Sequence, residues 1–341
     1  MRRRASRSQL KREPLGRRRV SAMQRSMVVL IFALLQAASA RGQRAPVADH
    51  HQHLFSPAIA ALLSSESSVV QPITAQDLIP LLDSAGISRA LLLSVAYMYG
   101  SPTRTVEDEY AKVWAENDWV AAQARLFPER LRAFCSFNPL KDYALVELER
   151  CARDSTLRRG IKLHFGNSDV QLDNPEHLEQ LRRVFRAANE HRMAIVVHLR
   201  ANINQRRPYG SAQARVFLDE LLPLVPDVSV QIAHLAGAGG YSDSAVDSVM
   251  AVFAAAVQRH DWRTRRLWFD VTSVAEGDIS AAAALVVRRI RQVGVDRVVY
   301  GSDAASGANA QPREGWAAFR RLPLTAVEFD RIARNVAPYL R

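Results

Sequence analysis

The feature that most constrains the fold of this chain is an alternation of short apolar segments with amphipathic ones. Short apolar runs predict buried strands, and apolar residues spaced three and four apart predict helices. Strands are predicted from residue 47 and over 89–95, 131–137, 160–165, 193–199, 228–235, 267–272 and 297–302. Helices are predicted after Thr74 and over 105–127, 141–153, 175–191, 212–224, 244–260, 279–293 and 329–339. Strands separated by helices are parallel, because tight turns cannot join parallel neighbours.

Two α/β architectures have this alternation. An open doubly wound sheet usually has about five or six strands, whereas eight strand-helix units in roughly 250 to 300 residues are typical of a closed (β/α)8 barrel. A dinucleotide site is not indicated, because Gly237-Ala238-Gly239 is followed by Ser242 where the third glycine is needed. We therefore predict a single-domain (β/α)8 TIM barrel over residues 41–341.

The basic charge is concentrated in residues 1–40. This segment has ten Lys or Arg against Glu13 alone, which is +9 of the formal net charge of +12 and leaves +3 for residues 41–341. The body is thus close to neutral and gives no electrostatic case for binding nucleic acid.

The same segment resembles an export signal. Arg25 precedes the apolar run 27–38, and Ala38-Ser39-Ala40 matches the small-x-small pattern of a cleavage site. We interpret residues 1–40 as a signal peptide with an over-long basic N-terminus whose true start is Met23. The mature protein is then expected in the periplasm or outside the cell, without stable membrane insertion. An uncleaved membrane anchor is the alternative.

The two cysteines are Cys135 and Cys151. Export permits a disulfide, but a domain of this size does not require one. Because Cys135 lies in an apolar run, we expect a buried thiol.

Polar residues occur where the predicted strands end, which is where barrel enzymes place catalytic groups. Each interrupts an apolar segment, which is costly unless the group is paired or binds a metal. Singly, each is more typical of a hydrogen-bonded core residue, but their recurrence at several strand ends favours a site. They are His51, His53, Lys162, His164, His198, His234 and Asp303.

Four motifs resemble those of the amidohydrolase superfamily, most of all the branch that includes aminocarboxymuconate semialdehyde decarboxylase. They are Asp49-x-His51-x-His53, Val197-His198, Ala233-His234-Leu235-Ala236-Gly237 and Gly301-Ser302-Asp303. The resemblance runs from Val47 to Pro338. It implies that His51, His53, His198 and Asp303 bind a divalent metal, usually one Zn²⁺.

Three imidazoles and a carboxylate suit Zn²⁺ and leave room for a water whose pKa falls towards neutrality. Asp303 would then exchange the proton of that water. His234 would orient the water or stabilise charge on a substrate oxygen, unless it only shapes the pocket.

Lys162 has two interpretations. The resemblance allows a carboxylated lysine on the fourth strand to bridge a second metal, but we favour a plain cation that faces a substrate carboxylate. His164 shares its strand face and is a candidate for substrate binding. Arg200, followed by Arg206 and Arg207, could hold an anionic substrate through paired hydrogen bonds, or be an ordinary solvated loop residue.

The sequence therefore predicts an exported metal-dependent hydrolase in which metal-bound hydroxide attacks an amide, lactone or related carbonyl of a small, potentially anionic molecule. A non-oxidative decarboxylase of a small carboxylic acid on the same metal site is the alternative. A catalytically inactive binding barrel is a third hypothesis. The oligomeric state stays open, with a homo-oligomer among the options.

Overall fold

The computed structural model describes residues 44–304 and 311–341. Eight parallel strands lie side by side in chain order, from β1 to β8. They are β1 Ala48–Gln52, β2 Arg89–Leu93, β3 Leu131–Ser136, β4 Gly160–His164, β5 Ala194–His198, β6 Val230–Ile232, β7 Leu267–Asp270 and β8 Val298–Val299.

Backbone hydrogen bonds between the first strand and the segment after the last strand close the sheet. His50 N donates to Tyr300 O at 2.8 Å, and Asp303 N donates to His51 O at 2.7 Å. The predicted (β/α)8 TIM barrel is confirmed.

Helices separate the strands along the chain. They are α1 Pro57–Leu63, α2 Ala75–Ala85, α3 Glu109–Leu126, α4 Ala144–Arg153, α5 Pro175–Glu190, α6 Ser211–Val216, α7 Ser244–Gln258, α8 Ala283–Val293, α9 Pro312–Phe319 and α10 Ala326–Arg334. The predicted start at Thr74 is confirmed, because Thr74 and Asp77 form a reciprocal capping box at α2. The helix predicted to begin at residue 329 begins earlier, at Ala326, after a second capping box formed by Thr325 and Glu328, and it ends at Arg334.

The strands stop one to three residues before their predicted carboxyl ends, and β6 and β8 differ most. β6 stops at Ile232 rather than 235, and β8 stops at Val299 rather than 302. In both places the backbone soon enters the left-handed region, at His234 with φ 55° and at Asp303 with φ 53°. An apolar pattern predicts burial, but it does not reveal where a strand bends away from the sheet.

The floor of the barrel is apolar. Leu91 and Leu93 form a buried cluster with Ala194, Val196 and the C-terminal Tyr339. Val196 and His198 share the inward face of β5, because strand side chains alternate with a period of two. Polar side chains therefore lie above an apolar floor, at the carboxyl ends of the strands.

The two cysteines form a disulfide, so the expectation of a buried thiol is wrong. Cys135 on β3 and Cys151 on α4 have Cα atoms 6.2 Å apart and a sequence separation of 16 residues. Burial alone could not distinguish the two states, because a buried thiol and a buried disulfide both lie in apolar segments.

Removing this disulfide is expected to lower the free energy of unfolding by about 3 kcal/mol, the entropic value for a loop of roughly this length. Urea unfolding of the double variant Cys135→Ala, Cys151→Ala should show the loss. Reductant should destabilise the wild type and leave the double variant unchanged. An equal unfolding midpoint for both oxidised proteins would contradict the prediction.

The signal peptide predicted over residues 1–40 lies outside the described ranges, which begin at residue 44. It therefore stays a prediction, as does the start of the barrel domain at residue 41. Among the described residues, no helix combines the length and apolarity needed to cross a membrane.

Candidate active site

A cavity of about 230 Å³ lies at the carboxyl ends of the strands. It contains all seven polar residues that the sequence places at strand ends. Its lining consists of His51, His53, Phe55, Val95, Tyr97, Met98, Lys162, His164, His198, His234, Ala238, Ser273 and Asp303.

Backbone turns after β6 and β8 bring His234 and Asp303 into this cavity. His234 and Asp303 have left-handed conformations that are uncommon for residues other than glycine. His234 N donates to Asp270 Oδ1 at 2.8 Å, and Asp303 N donates to His51 O at 2.7 Å. These hydrogen bonds hold the two strained residues in place, as is common at functional sites.

Gly301 allows the last strand to approach the first. A Cβ at this position would lie 2.6 Å from His51 Cβ and 2.3 Å from Thr272 Oγ1. Only glycine therefore fits without displacing a residue that lines the cavity.

Three of the histidines are oriented by hydrogen bonds at Nδ1. This atom lies 3.1 Å from Asp270 Oδ2 in His51, 2.6 Å from Leu93 O in His53 and 3.2 Å from Thr272 O in His234. Because the partners are acceptors, Nδ1 carries the proton in each neutral ring, and Nε2 is left with a free electron pair. This arrangement is typical of histidines that bind a metal.

The potential ligand atoms lie close together. One atom each from His51, His234 and Asp303 lie within 4.8 Å of one another. His53 Nε2 is 3.6 Å from Asp303 Oδ1, and the His198 ring centroid is 5.1 Å from that of His234. The predicted ligands thus share one cavity, and His234 is as well placed as His198 to contribute an imidazole.

The imidazoles are in the state that a metal requires. Burial lowers the pKa of His53 to about 3 and lowers the pKa values of His51, His198 and His234 below their ordinary range. Neutral imidazoles are the form that binds metals. The donor types, their orientation and their protonation state therefore fit a divalent cation.

Lys162 and Asp303 are the amine and the carboxyl group that line this cavity. Burial raises the pKa of Asp303 to about 8, against the opposing charge of Lys162. Burial also lowers the pKa of Lys162 to about 8, against the charges of Asp270 and Asp303. A bound cation would lower the pKa of Asp303 from this value, towards the range in which a carboxyl group can both hold and release a proton near neutral pH.

Lys162 lies at the potential metal ligands. Its Nζ is 3.2 Å from His51 Nε2, and the residue is only 1% exposed. This position is compatible with both predicted roles, a cation for the substrate and a carboxylated bridge to a second metal.

His164 differs from the other histidines. Its ring stacks on that of His198, with centroids 3.9 Å apart, and its Nδ1 accepts a hydrogen bond from Asn167 N at 3.0 Å. Because Nδ1 is the acceptor, Nε2 carries the proton of the neutral ring. His164 is thus prepared to donate a hydrogen bond to a substrate oxygen.

Arg200 does not line the cavity that contains the other predicted site residues. It donates to Asp243 Oδ2 at 2.9 Å and stacks over Tyr209 at 4.5 Å. It lines an adjoining cavity of about 400 Å³ that also contacts His164 and His198. A negatively charged group of a substrate would have to extend into this adjoining cavity to contact Arg200.

Sequence reasoning missed Asp270, which is fully buried at the end of β7. Its carboxylate is hydrogen-bonded to His51 Nδ1 and accepts hydrogen bonds from Gln231 Nε2 at 2.6 Å and from His234 N. Burial raises the pKa of Asp270, but its hydrogen bonds with His51 Nδ1 and His234 N outweigh burial and hold that pKa below its ordinary value. The signal was present, because Asp270 interrupts an apolar strand as the recognised residues do.

A chain of side-chain hydrogen bonds extends from Asp270 to the barrel floor. Gln231 Nε2 donates to Asp270, and Tyr339 Oη donates to Gln231 Oε1. Gln231 and Tyr339 are both buried. The C-terminal turn is thereby linked to His51 through three side chains.

Tyr97 was also missed. It follows β2, is buried in the cavity wall, and its ring centroid is 4.8 Å from that of His164. Tyrosine is common in apolar segments, so its type and spacing carried no functional signal.

His50 and Asp49 have structural roles. His50 Nε2 accepts from Ala337 N at 3.1 Å, and its Nδ1 lies 3.0 Å from Tyr300 O. Asp49 accepts from Ser302 Oγ at 2.7 Å. These contacts join β1 to the segment after β8 and support the adjacent Asp303.

The model of the Amidohydrolase family matches residues 48–337. No curated protein matches the sequence.

Several solved structures share the fold at low sequence identity. The 5-carboxyvanillate decarboxylase of Sphingomonas paucimobilis has a TM-score of 0.60 and 15% identity, covering 84% of this chain and 96% of its own. The 5-carboxyvanillate decarboxylase of Novosphingobium aromaticivorans, complexed with manganese and 4-hydroxy-3-methoxy-5-nitrobenzoic acid, has a TM-score of 0.55 and 14% identity, covering 86% of this chain and 95% of its own. A probable 2-pyrone-4,6-dicarboxylic acid hydrolase of Acinetobacter baumannii, with citric acid bound, has a TM-score of 0.53 and 17% identity, covering 84% of this chain and 95% of its own.

At these identities the structural likeness shows the fold alone. The family match is stronger, because it covers most of the chain and spans every strand and all seven polar residues of the cavity. The predicted superfamily is thus confirmed, and the chain belongs to the amidohydrolase family of metal-dependent (β/α)8-barrel enzymes.

Proposed function

We propose that this protein is a metal-dependent, non-oxidative decarboxylase of a small aromatic carboxylic acid. The observation that carries the proposal is the buried ammonium group of Lys162 beside the potential metal ligands. A cation at this depth favours an anionic substrate whose carboxylate lies at the metal. Decarboxylases with similar folds support this choice over the hydrolase that the sequence first favoured.

The shape of the cavity supports an aromatic acid. Phe55, Val95, Tyr97 and Met98 provide apolar and aromatic surface, while the charged and imidazole groups come from other parts of the lining. A substrate with a flat ring and a carboxylate would place its ring against the first set and its charged end against the second.

When bound, the divalent metal would supply positive charge that holds substrate oxygens and, for hydrolysis, would lower the pKa of a water. Lys162 would bind the substrate carboxylate, and His164 Nε2 would donate to a ring hydroxyl. Asp303, which has two oxygens, would hold a proton next to the ring. As the bond to the carboxylate breaks, the ring carbon would take that proton and CO₂ would leave. His234 Nε2, which keeps a free electron pair, would accept a hydrogen bond from a substrate hydroxyl.

We propose one Zn²⁺ as the cofactor, held by His51, His53, His198 and Asp303. Imidazole and carboxylate donors support zinc, although manganese accepts the same ligand types. At this cavity the described residues offer one compact set of ligand atoms, from His51, His234 and Asp303, which supports a single ion and makes His234 an alternative ligand to His198.

A hydrolase of a lactone is the second candidate. The same donors could activate water, and the similar structure of a probable pyrone dicarboxylic acid hydrolase supports it. The substrate of that protein is also anionic by name, so the role proposed for Lys162 would be retained.

Product analysis distinguishes the candidates. Enzyme loaded with zinc or manganese would be incubated with 5-carboxyvanillate, hydroxybenzoates and 2-pyrone-4,6-dicarboxylate, while CO₂ and new acid are measured separately. CO₂ without new acid supports decarboxylation, and new acid without CO₂ supports hydrolysis. A metal-loaded protein that binds these acids without turnover would identify a binding barrel.

Lys162→Met is expected to weaken binding of carboxylate substrates by at least about 30-fold, because a buried charge pair loses one partner. Metal content should stay at one equivalent, as measured by elemental analysis. Lys112→Met, on the exposed surface of α3, is the matched control. Two metals in the wild type and one in Lys162→Met would instead establish the carboxylated bridge.

We also propose that the protein is exported, to the periplasm or beyond. The disulfide supports this location, because disulfides persist mainly in oxidising compartments. Fractionation of cells that express the full chain would test it, and recovery of the whole protein with the cytoplasmic fraction would contradict it.

A further inference from the structure

The amino ends of the strands, opposite the metal site, surround a second cavity that the proposed function does not use. Its volume is about 480 Å³. It is lined by Ala152, Arg158, Arg159, His191, Arg192, Ala194, Asp227, Val228, Ser229, Arg266, Pro338 and Tyr339.

The barrel topology brings these arginines together. Arg159 directly precedes β4, Arg192 lies two residues before β5, and Arg266 directly precedes β7. Backbone hydrogen bonds fix two of these positions, because Arg159 O accepts from Ala194 N and Arg266 O accepts from Val230 N. Parallel neighbours with aligned starts therefore place three guanidinium groups at one end of the barrel.

The charge of this cavity is poorly balanced. Four arginines and one aspartate line it, which is a net charge of +3 with His191 neutral. Within the described ranges, Arg158 and Arg159 have no ion pair, and Arg266 donates only to Pro226 O. Arg192 Nη1 is 3.8 Å from Asp227 Oδ2, a long contact. By contrast, Arg182 on α5 is paired with both Glu179 and Glu220.

We propose that this cavity binds a small, multiply charged oxyanion through Arg158, Arg159, Arg192 and Arg266. Guanidinium groups donate paired hydrogen bonds to phosphate and carboxylate oxygens, so both kinds of anion fit. The walls formed by Val228, Pro338 and Tyr339 define a concave site rather than a flat basic surface. The site is separate from the metal and does not depend on the proposed reaction.

Calorimetric titration of the metal-loaded enzyme with inorganic phosphate and with tricarballylate tests this proposal. The proposal expects one saturable site for at least one of the anions, and the tighter anion identifies the ligand class. The double variant Arg159→Gln, Arg192→Gln should weaken binding by about 100-fold, or about tenfold for each charge-assisted contact removed. Its circular dichroism should be unchanged, because both arginines are exposed.

The matched control is Arg153→Gln with Arg186→Gln, two exposed arginines that do not line the cavity. This variant should bind like the wild type. An equal loss in both double variants would show non-specific attraction and overturn the proposal. Wild-type protein without a saturable site would also overturn the proposal. A site that survives in the Arg159→Gln, Arg192→Gln variant would do the same, because the anion would then bind elsewhere.

Discussion

Asp303→Asn is expected to lower turnover by about 10³-fold on the best substrate found, within the range for a residue that transfers a proton. An amide cannot release or accept the proton that the carboxyl group of Asp303 would carry. The backbone should keep its conformation, since the hydrogen bond from Asp303 N to His51 O does not involve the side chain.

The measurement is kcat at saturating metal, with metal content determined on the same sample. Saturation matters because Asp303 is also a proposed ligand, and a variant that lacks metal would be inactive for a different reason. Asp296→Asn, an exposed carboxylate paired with Arg331, is the control and should retain full activity. Undiminished turnover of metal-loaded Asp303→Asn would remove Asp303 from the proton transfer.

Asp270→Asn is expected to weaken metal affinity by about 10- to 100-fold, the usual effect of removing the partner of a metal-binding histidine. Asp270 orients His51 through Nδ1 and also holds the strained backbone at His234. The amide removes the negative charge that favours the Nδ1-protonated form of His51. Competition with a chromophoric chelator measures the affinity without depending on activity.

Asp247→Asn is a suitable control, because Asp247 is partly buried and paired with Arg289 outside the site. Tyr339→Phe should change metal affinity in the same direction but by less, since it removes only the hydroxyl that contacts Gln231. A folded Asp270→Asn variant with wild-type metal affinity would show that Asp270 has only a structural role.

Residue type decided which parts of the candidate site could be predicted from the sequence. Polar residues that interrupt apolar strands were visible in the sequence, and all seven singled out for this reason line one cavity. Asp270 satisfies the same criterion and was overlooked. Tyr97 could not have been found this way, because a tyrosine is ordinary in an apolar segment.

Arg200 and the two cysteines show which features local sequence patterns do not predict. Arg200 was a candidate for binding an anionic substrate, but Asp243 and Tyr209 hold its guanidinium group in the adjoining cavity. These partners come from distant parts of the chain, and no local pattern predicts them. The same holds for the contact between Cys135 and Cys151, which depends on how α4 packs on β3.

The sequence by itself determined the barrel, its parallel strands, the family and the residues that gather at the carboxyl ends of the strands. The barrel, its strands and these polar residues follow from periodicity and residue type, which are local, whereas the family follows from the resemblance of four motifs. Only the tertiary structure decided which nitrogen of each histidine faces the cavity, how Asp270 reaches His51, and why four arginines meet at the amino ends of the strands. Those features depend on contacts between residues far apart in the chain, and such contacts exist only once the barrel has closed.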